Sequence, residues 1–233
     1  MKLFPFYMAV CAASAPLGAQ TAAKTPFDNE TLAYSVNWPS GLSLGEARMH
    51  AARQAGQWGL ALSLEAAVPG FSISDSFRST ATDDFCSAEF VKQFTHGRKK
   101  ADEKITFDTQ KGQATRVTIT PADGGTTIVP IQGCARDALT FLYYLRRELS
   151  QGRMPAPQTV YFGGPYQVRL EYTGAQTIKA NDKSYNADHL RASFKGPASE
   201  MTFEMFFARD PARTPVVIRV PFPLGTFTME VVE

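Results

Sequence analysis

The stretch Trp58-Gly59-Leu60-Ala61-Leu62-Ser63-Leu64-Glu65 places a large apolar side chain at every second position and a small or polar one between. Successive side chains of a β-strand point to opposite faces, so this pattern predicts a strand with one buried and one open face. Leu32, Tyr34, Val36 and Trp38 repeat it against Thr31, Ala33, Ser35 and Asn37. Weaker versions follow at Phe71/Ile73/Phe77, Ile105/Phe107, Val117/Ile119, Val168/Leu170/Tyr172, Leu190/Ala192/Phe194 and Phe203/Met205/Phe207. Val216–Val220 and Phe227–Val231 complete the series. One apolar face per strand is the mark of an antiparallel sheet covered on one side.

Turn residues separate these runs at short intervals, at His96-Gly97, Lys111-Gly112, Asp123-Gly124-Gly125, Gly163-Gly164-Pro165, Asn181-Asp182 and Leu224-Gly225. The reading gives about eleven or twelve strands joined mostly as hairpins, too many to stay flat. The expected fold is mainly β: a single domain built on a large curved antiparallel sheet, as an open barrel, half-barrel or sandwich. One helix interrupts it over residues 137–150. Asp137 is its N-cap, and Ala138, Phe141, Leu142, Leu145 and Leu149 form an apolar stripe at helical spacing. Arg146 and Arg147 fall in the last turns, where positive charge suits the helix dipole, and Gly152, Pro155 and Pro157 end the element. Such a helix is expected to cover the concave face of the sheet.

With 24 basic and 22 acidic residues in 233, the formal net charge is +2, which argues against a nucleic-acid partner. No apolar run reaches the roughly 18 residues of a membrane-spanning helix. An outer-membrane barrel also alternates, but charges fall on both faces at Arg98–Lys104 and Arg191–Lys195, and the chain closes on Val-Val-Glu. Residues 1–19 have the layout of a cleaved signal peptide: Lys2, an apolar stretch from Leu3 to Ala13, then small residues up to Ala19. Val10 ahead of Cys11 does not suit a lipid-attachment site. Removing the nineteen residues would leave 214, with one domain from about residue 25 to 233 and a periplasmic or secreted destination. It would also leave two cysteines, Cys86 and Cys134. In an oxidising compartment they can form one disulfide, closing a loop of about fifty residues and typically contributing about 2–4 kcal/mol. The alternative is a pair of buried thiols.

Gly41-Leu42-Ser43-Leu44-Gly45 matches the G-x-S-x-G pattern of a hydrolase nucleophile elbow. That motif works at a strand-to-helix turn of a parallel sheet, and here it lies between two strand-like runs, so a hairpin loop is the better account. His50, His96 and His189 lack metal-ligand spacing, and neither the cysteines nor the carboxylates form a recognisable metal or acid/base set. No catalytic residue, metal site or cofactor is expected. Aromatic residues remain, and Tyr143, Tyr144, Phe162, Tyr172 and Phe203 are candidates to line an apolar cavity between helix and sheet.

Four stretches in order resemble the bacterial family known as domain of unknown function 3108, whose members are mostly exported envelope proteins. They are Glu30–Trp38 with Gly45-Glu46-Ala47, the helix Asp137–Arg146, the pair Phe206–Asp210 and Arg213–Ile218, and the closing Gly225–Val231. The resemblance implies a mainly β, single-domain exported protein and hands over no catalytic residues. By architecture the expected fold is also loosely similar to lipoprotein-localisation carriers, whose half-barrels shelter acyl chains. The leading expectation is therefore an exported module that holds an apolar, lipid-like ligand under the helix. A scaffolding protein that binds another envelope protein is the second, and a hydrolase with scattered catalytic residues the third.

Overall fold

A computed structural model describes residues 26–68, 70–197, 199–222 and 225–232. The expected signal peptide lies outside them. Among the described residues fifteen strands form one sheet in the order β8-β7-β6-β5-β4-β3-β2-β1-β15-β14-β13-β12-β11-β10-β9. The first half runs as consecutive hairpins: β1 (Glu30–Asn37), β2 (Ser43–Gln54), β3 (Gln57–Val68), β4 (Phe71–Thr82), β5 (Ser87–His96), β6 (Lys99–Asp108), β7 (Gln113–Thr120) and β8 (Thr126–Pro130). The second half holds β9 (Arg136–Asp137), helix α1 (Ala138–Ser150), β10 (Gln158–Tyr161), β11 (Pro165–Ala180) and β12 (Lys183–Lys195), then β13 (Glu200–Ala208), β14 (Pro215–Phe222) and β15 (Gly225–Val232). Pairing of β1 with β15 joins the halves.

The expected curved, mainly β sheet with one helix is what the described residues form. Two details differ. β9 pairs with β10 in parallel through α1, so one short β-α-β crossover stands in an otherwise antiparallel sheet. The motif-like Gly41–Gly45 segment is a hairpin loop running into β2, as its turn chemistry requires. Gly45 also has a packing reason, since a Cβ there would lie 1.9 Å from the carbonyl oxygen of Glu65 on β3.

The sheet rolls so that α1 and the β10 end lie against the inner face of the β3–β8 end. The helix touches β3, β4, β9 and β10. Tyr161 on β10 meets Phe107 edge-on and donates its hydroxyl to the Pro130 carbonyl at the end of β8. Because α1 sits inside the roll, it is buried on more than its apolar stripe. Leu139, Phe141, Tyr143, Leu145 and Leu149 are buried, and so are Thr140, Arg146 and Glu148. Arg146 was expected near the helix end as a dipole partner. It is instead wholly buried, and it makes a two-pronged contact with Glu30 of β1 at 2.6 and 2.7 Å. Its Nε donates to the Ala212 carbonyl, and its guanidinium lies over the rings of Phe27 and Tyr143.

Asp137 caps the helix as expected and does more. Its carboxylate accepts hydrogen bonds from the Leu139 and Thr140 amides, the Thr140 hydroxyl, Ser79 on β4 and Ser87 on β5. Burial pushes this carboxyl's pKa upward, and the hydrogen bonds from Ser87, Thr140 and Ser79 act against that. The Cys86–Cys134 disulfide forms and holds the same corner, next to Ser87 and three residues before Asp137.

A second fold of the sheet comes from the long β11–β12 hairpin. Register shifts between Tyr172 and Gly174, and the tip beyond the bulge packs on the sheet face that carries Phe206 and Val217, opposite the face of Leu190 and Met205. Ala180 and Ala187 thereby join Phe206 and Val217 in the main apolar cluster, with Ile178 and Tyr185 packed beside them. At the hairpin tip the Asn181 amide donates to Glu230, and its side chain donates to the Val231 carbonyl.

Candidate functional site

Strand register arranges the concave face into rows that cross the sheet. One row runs Leu32, Met49, Leu62, Phe77, Lys92, Glu103 and Thr118, from β1 to β7. The row on its helix side contains Leu60, Ser79, Phe90, Ile105 and Arg116, and the row beyond it Leu64, Asp75, Phe94 and Ala101. On β3–β6 burial falls along this direction as far as Leu64, whereas on β1 and β2 Tyr34, Val36 and Ala47 stay at most 2% exposed. Leu60, Ser79 and Phe90, near α1, are at most 3% exposed, while Leu62, Leu64, Ile73, Phe77, Phe94 and Ala101 are only half-buried. The concave face is thus sealed at its helix end. At the other end it presents apolar side chains that no other part of the described chain fully covers.

Within those rows the chemistry changes at the boundary between β4 and β5. On β1–β4 the inward residues are mainly apolar. On β5–β7 they include Lys92, His96, Glu103, Arg116 and Thr118. Lys92 approaches Glu103 at 3.1 Å, both side chains being 12% exposed, and Arg116 approaches the same carboxylate at 3.4 Å. The Arg116 Nη1 donates to the Gly163 carbonyl in the β10–β11 turn. Hydrogen-bond satisfaction is incomplete: Glu103 Oε2 and Arg116 Nε are buried without a partner of good geometry. His96 bonds Asp75 at 2.8 Å; burial raises the Asp75 carboxyl pKa, against the lowering influence of His96.

The outer faces of these strands are inverted to match. Val117 and Ile119, read from sequence as the apolar face of β7, point away from the concave side and are 39% and 52% exposed. Arg116 and Thr118 take the inward positions. Ile128 on the neighbouring β8 is exposed on that outer side as well.

Of the five aromatic residues proposed for a cavity, the structure places one at this boundary. Phe162 in the β10–β11 turn packs on Phe77 and Phe90 at 5.5 and 6.0 Å, with the Lys92 ammonium 4.8 Å from its ring. The turn brings Gly163 so close that a Cβ, in a backbone conformation of φ +74°, would sit 3.0 Å from both Glu103 and Lys92. Phe203 lies on the opposite half of the sheet, half-buried against Phe194. Tyr143 is wholly buried beside Phe27. Tyr144 lies under the Arg136 guanidinium at 3.7 Å. Tyr172 is 50% exposed and donates its hydroxyl to Asp188. The residues that sequence reasoning did not single out are Lys92, Glu103 and Arg116. Their signal was the interruption of alternation itself.

The histidines are dispersed as expected. His50 pairs with Thr31, His96 with Asp75, and His189 stacks on Phe206 with its ring 4.2 Å away. Burial lowers the pKa of His189, against the raising influence of Glu204. Among the described residues no His, Cys, Asp or Glu set has a metal-binding arrangement. No described helix is long and apolar enough to cross a membrane. Two hollows open outside the concave face. One of about 500 Å³ lies under the Asn181 tip, lined by Ser35, Asn37, Ser43 and Glu230 among others. Another of about 300 Å³ is lined by Ser74, Ser76, Gln93, Lys100 and Asp102 among others.

Comparison with known proteins agrees with the fold. The family described as "Protein of unknown function (DUF3108)" matches residues 33–232. No curated protein matches the chain. A crystal structure of a beta-barrel-like protein of domain of unknown function DUF1849 from Brucella abortus superposes with a TM-score of 0.56. The two are 7% identical, over 87% of this chain and 95% of that one, so the likeness is one of fold.

Proposed function

The chain belongs to the DUF3108 family of proteins of unknown function, and from that premise we propose that it is an exported envelope protein that binds an apolar, lipid-like molecule on its concave face. The observation that carries this reading is the half-buried apolar patch of Leu62, Leu64, Ile73 and Phe77 on β3 and β4, beyond the row that the helix seals. Side chains of this size on the inside of a curved sheet gain about 25 cal/mol for each Å² of apolar surface removed from water, and a bound chain would remove the remainder. The half-buried Leu142 of α1 packs against both apolar clusters. The disulfide and the signal-like N-terminus support a periplasmic or secreted location.

Lipid extraction and native mass spectrometry of protein purified from its own envelope test this. A co-purifying apolar molecule, or binding of the fluorescent fatty acid cis-parinaric acid, is expected. A ligand-free mass together with no uptake of the probe would overturn the reading. A second reading, a scaffold that docks another envelope protein, draws on the exposed Val117, Ile119 and Ile128 on the outer face near the β8 edge. Crosslinking in cells separates the two: a stable protein partner, with no bound lipid, favours the scaffold.

A further inference from the structure

Charged residues on the inside of a sheet are costly. Their desolvation is repaid only when geometry and hydrogen bonding are good, and replacement by well-packed apolar residues is often neutral or stabilising. At Arg146 that condition is met, because every nitrogen of the guanidinium has an acceptor or stands over a ring. At Lys92, Glu103 and Arg116 it is not. Two cations share one carboxylate at 3.1 and 3.4 Å, and polar atoms of both Glu103 and Arg116 lack hydrogen bonds of good geometry.

The sequence pays for this arrangement twice. On β7 the charged Arg116 is turned in while Val117 and Ile119 are turned out to water, the reverse of what sheet packing alone favours. From the helix side outward the inward charged groups are Arg116, then Lys92 and Glu103 beneath the β10–β11 turn, then Asp75, and His96 with Lys99 at the rim. Lys99 and Lys92 both lie within 6 Å of the Phe94 ring, at 5.9 and 5.5 Å, which keeps a second ammonium at the same rim. Three fixed cations thus face two carboxylates. One of these, Asp75, is engaged by His96.

Phe77 is cross-strand partner to both Leu62 and Lys92, so apolar and cationic chemistry meet within one row. Adjacent strands are about 4.8 Å apart. The distance from Lys92 on β5 to Leu62 on β3 is therefore about 10 Å along the row, a span that a flexible apolar chain starting at a charged head can cover.

We propose that the ligand is an amphiphile with a single anionic head, a carboxylate or a phosphate, whose head is taken by Lys92 and Arg116 and whose tail lies along Phe77, Leu62 and Leu64. This rests on the reading above that the concave face binds an apolar molecule. An anionic head would supply an acceptor for Arg116 Nε, which is buried without one, and would balance the second of the two cations that share Glu103. Charge-assisted hydrogen bonds of this kind are the stronger class, and Arg offers a planar fork suited to either anion.

The test compares cis-parinaric acid with its methyl ester by fluorescence titration of the full chain. The acid is expected to bind at least about tenfold tighter than the ester. In Lys92→Met the acid should fall to the level of the ester, with the ester unchanged, while Lys92→Arg keeps the preference. Melting curves confirm that each variant is folded, and Arg116→Gln gives the same comparison should Lys92→Met not fold. Displacement of the acid by dodecyl phosphate at lower concentration than by dodecanoate identifies a phosphate head; the opposite order identifies a carboxylate. Equal binding of acid and ester overturns the head-group assignment while the apolar-ligand reading stands. Absence of binding by both overturns the reading beneath it.

Discussion

The concave face carries two buried ion-pair systems, one against the helix and one beneath the β10–β11 turn, and they are built differently. At the helix end Arg146 meets both oxygens of Glu30, a backbone carbonyl and two aromatic rings. Beneath the β10–β11 turn, next to the open apolar row, Lys92 and Arg116 share Glu103, and Glu103 Oε2 and Arg116 Nε lack hydrogen bonds of good geometry. A fully connected polar network rigidifies a core, and a partly connected one leaves interaction capacity unspent. The contrast assigns structure to the first system and binding to the second. Variants against the helix should therefore cost stability, and variants beneath the turn should cost affinity.

The largest effect is expected from Arg146→Ala, which leaves Glu30, a side chain only 14% exposed, without its partner. Removing one member of a buried pair costs about 3–5 kcal/mol. At about 2–4 °C for each kcal/mol in a domain of this size, thermal melting should drop by about 6–20 °C. A drop below 2 °C would erase the distinction between the two systems.

Replacing Cys86 and Cys134 together by Ser should cost about 2–4 kcal/mol in chemical denaturation, because the bridge closes a 48-residue separation in the unfolded chain. Asp137→Ala comes next. It removes the helix cap, about 1 kcal/mol, and leaves the Ser79, Ser87 and Thr140 donors without their acceptor, so a loss of about 2–3 kcal/mol is expected. Lys92→Met should cost less than Asp137→Ala, since Arg116 remains 3.4 Å from the Glu103 carboxylate, and an equal loss would contradict the contrast.

A smaller test uses pH. Asp188 on β12 accepts from Arg209, Arg213 and Tyr172. Burial pulls its carboxyl pKa up, but those hydrogen bonds and the two guanidinium charges outweigh it, so the pKa is lowered. The folded state thus holds its proton less tightly than the unfolded chain. The stability this contributes is present above about pH 4 and is lost as pH falls through the lower folded value. Asp188→Asn should flatten the acid limb of a stability–pH curve and leave the region above pH 5 parallel to that of the parent.

The two regions also differed in how legible they were. Helix α1 could be read because Phe141, Leu142, Leu145 and Leu149 repeat at its period and Asp137 stands at its start. Strands β2–β4 could be read because most of their inward residues are apolar, Asp75 and Ser79 of β4 being the exceptions. The Arg146–Glu30 pair could not, since 116 residues separate its partners and only the roll of the sheet brings them together. Strand β5 was missed for a different reason. Its inward residues are Phe90, Lys92, Phe94 and His96, so apolar and charged side chains alternate along one face and blur the period of two. β7 was found, but with the wrong face inward, because Val117 and Ile119 give the apolar signal and Arg116 and Thr118 take the interior. Local rules fail in natural sequences where function competes with packing, and the failures here coincide with the proposed head-group site.

Hydrogen–deuterium exchange, with and without saturating cis-parinaric acid, tests the central claim most directly. The account predicts slower exchange in peptides covering residues 60–64, 73–77 and 90–96 at the open end, and no change in residues 137–150, already protected by burial. Protection confined to the helix, to the Asn181 tip or to the outer face of β7 and β8 would contradict it.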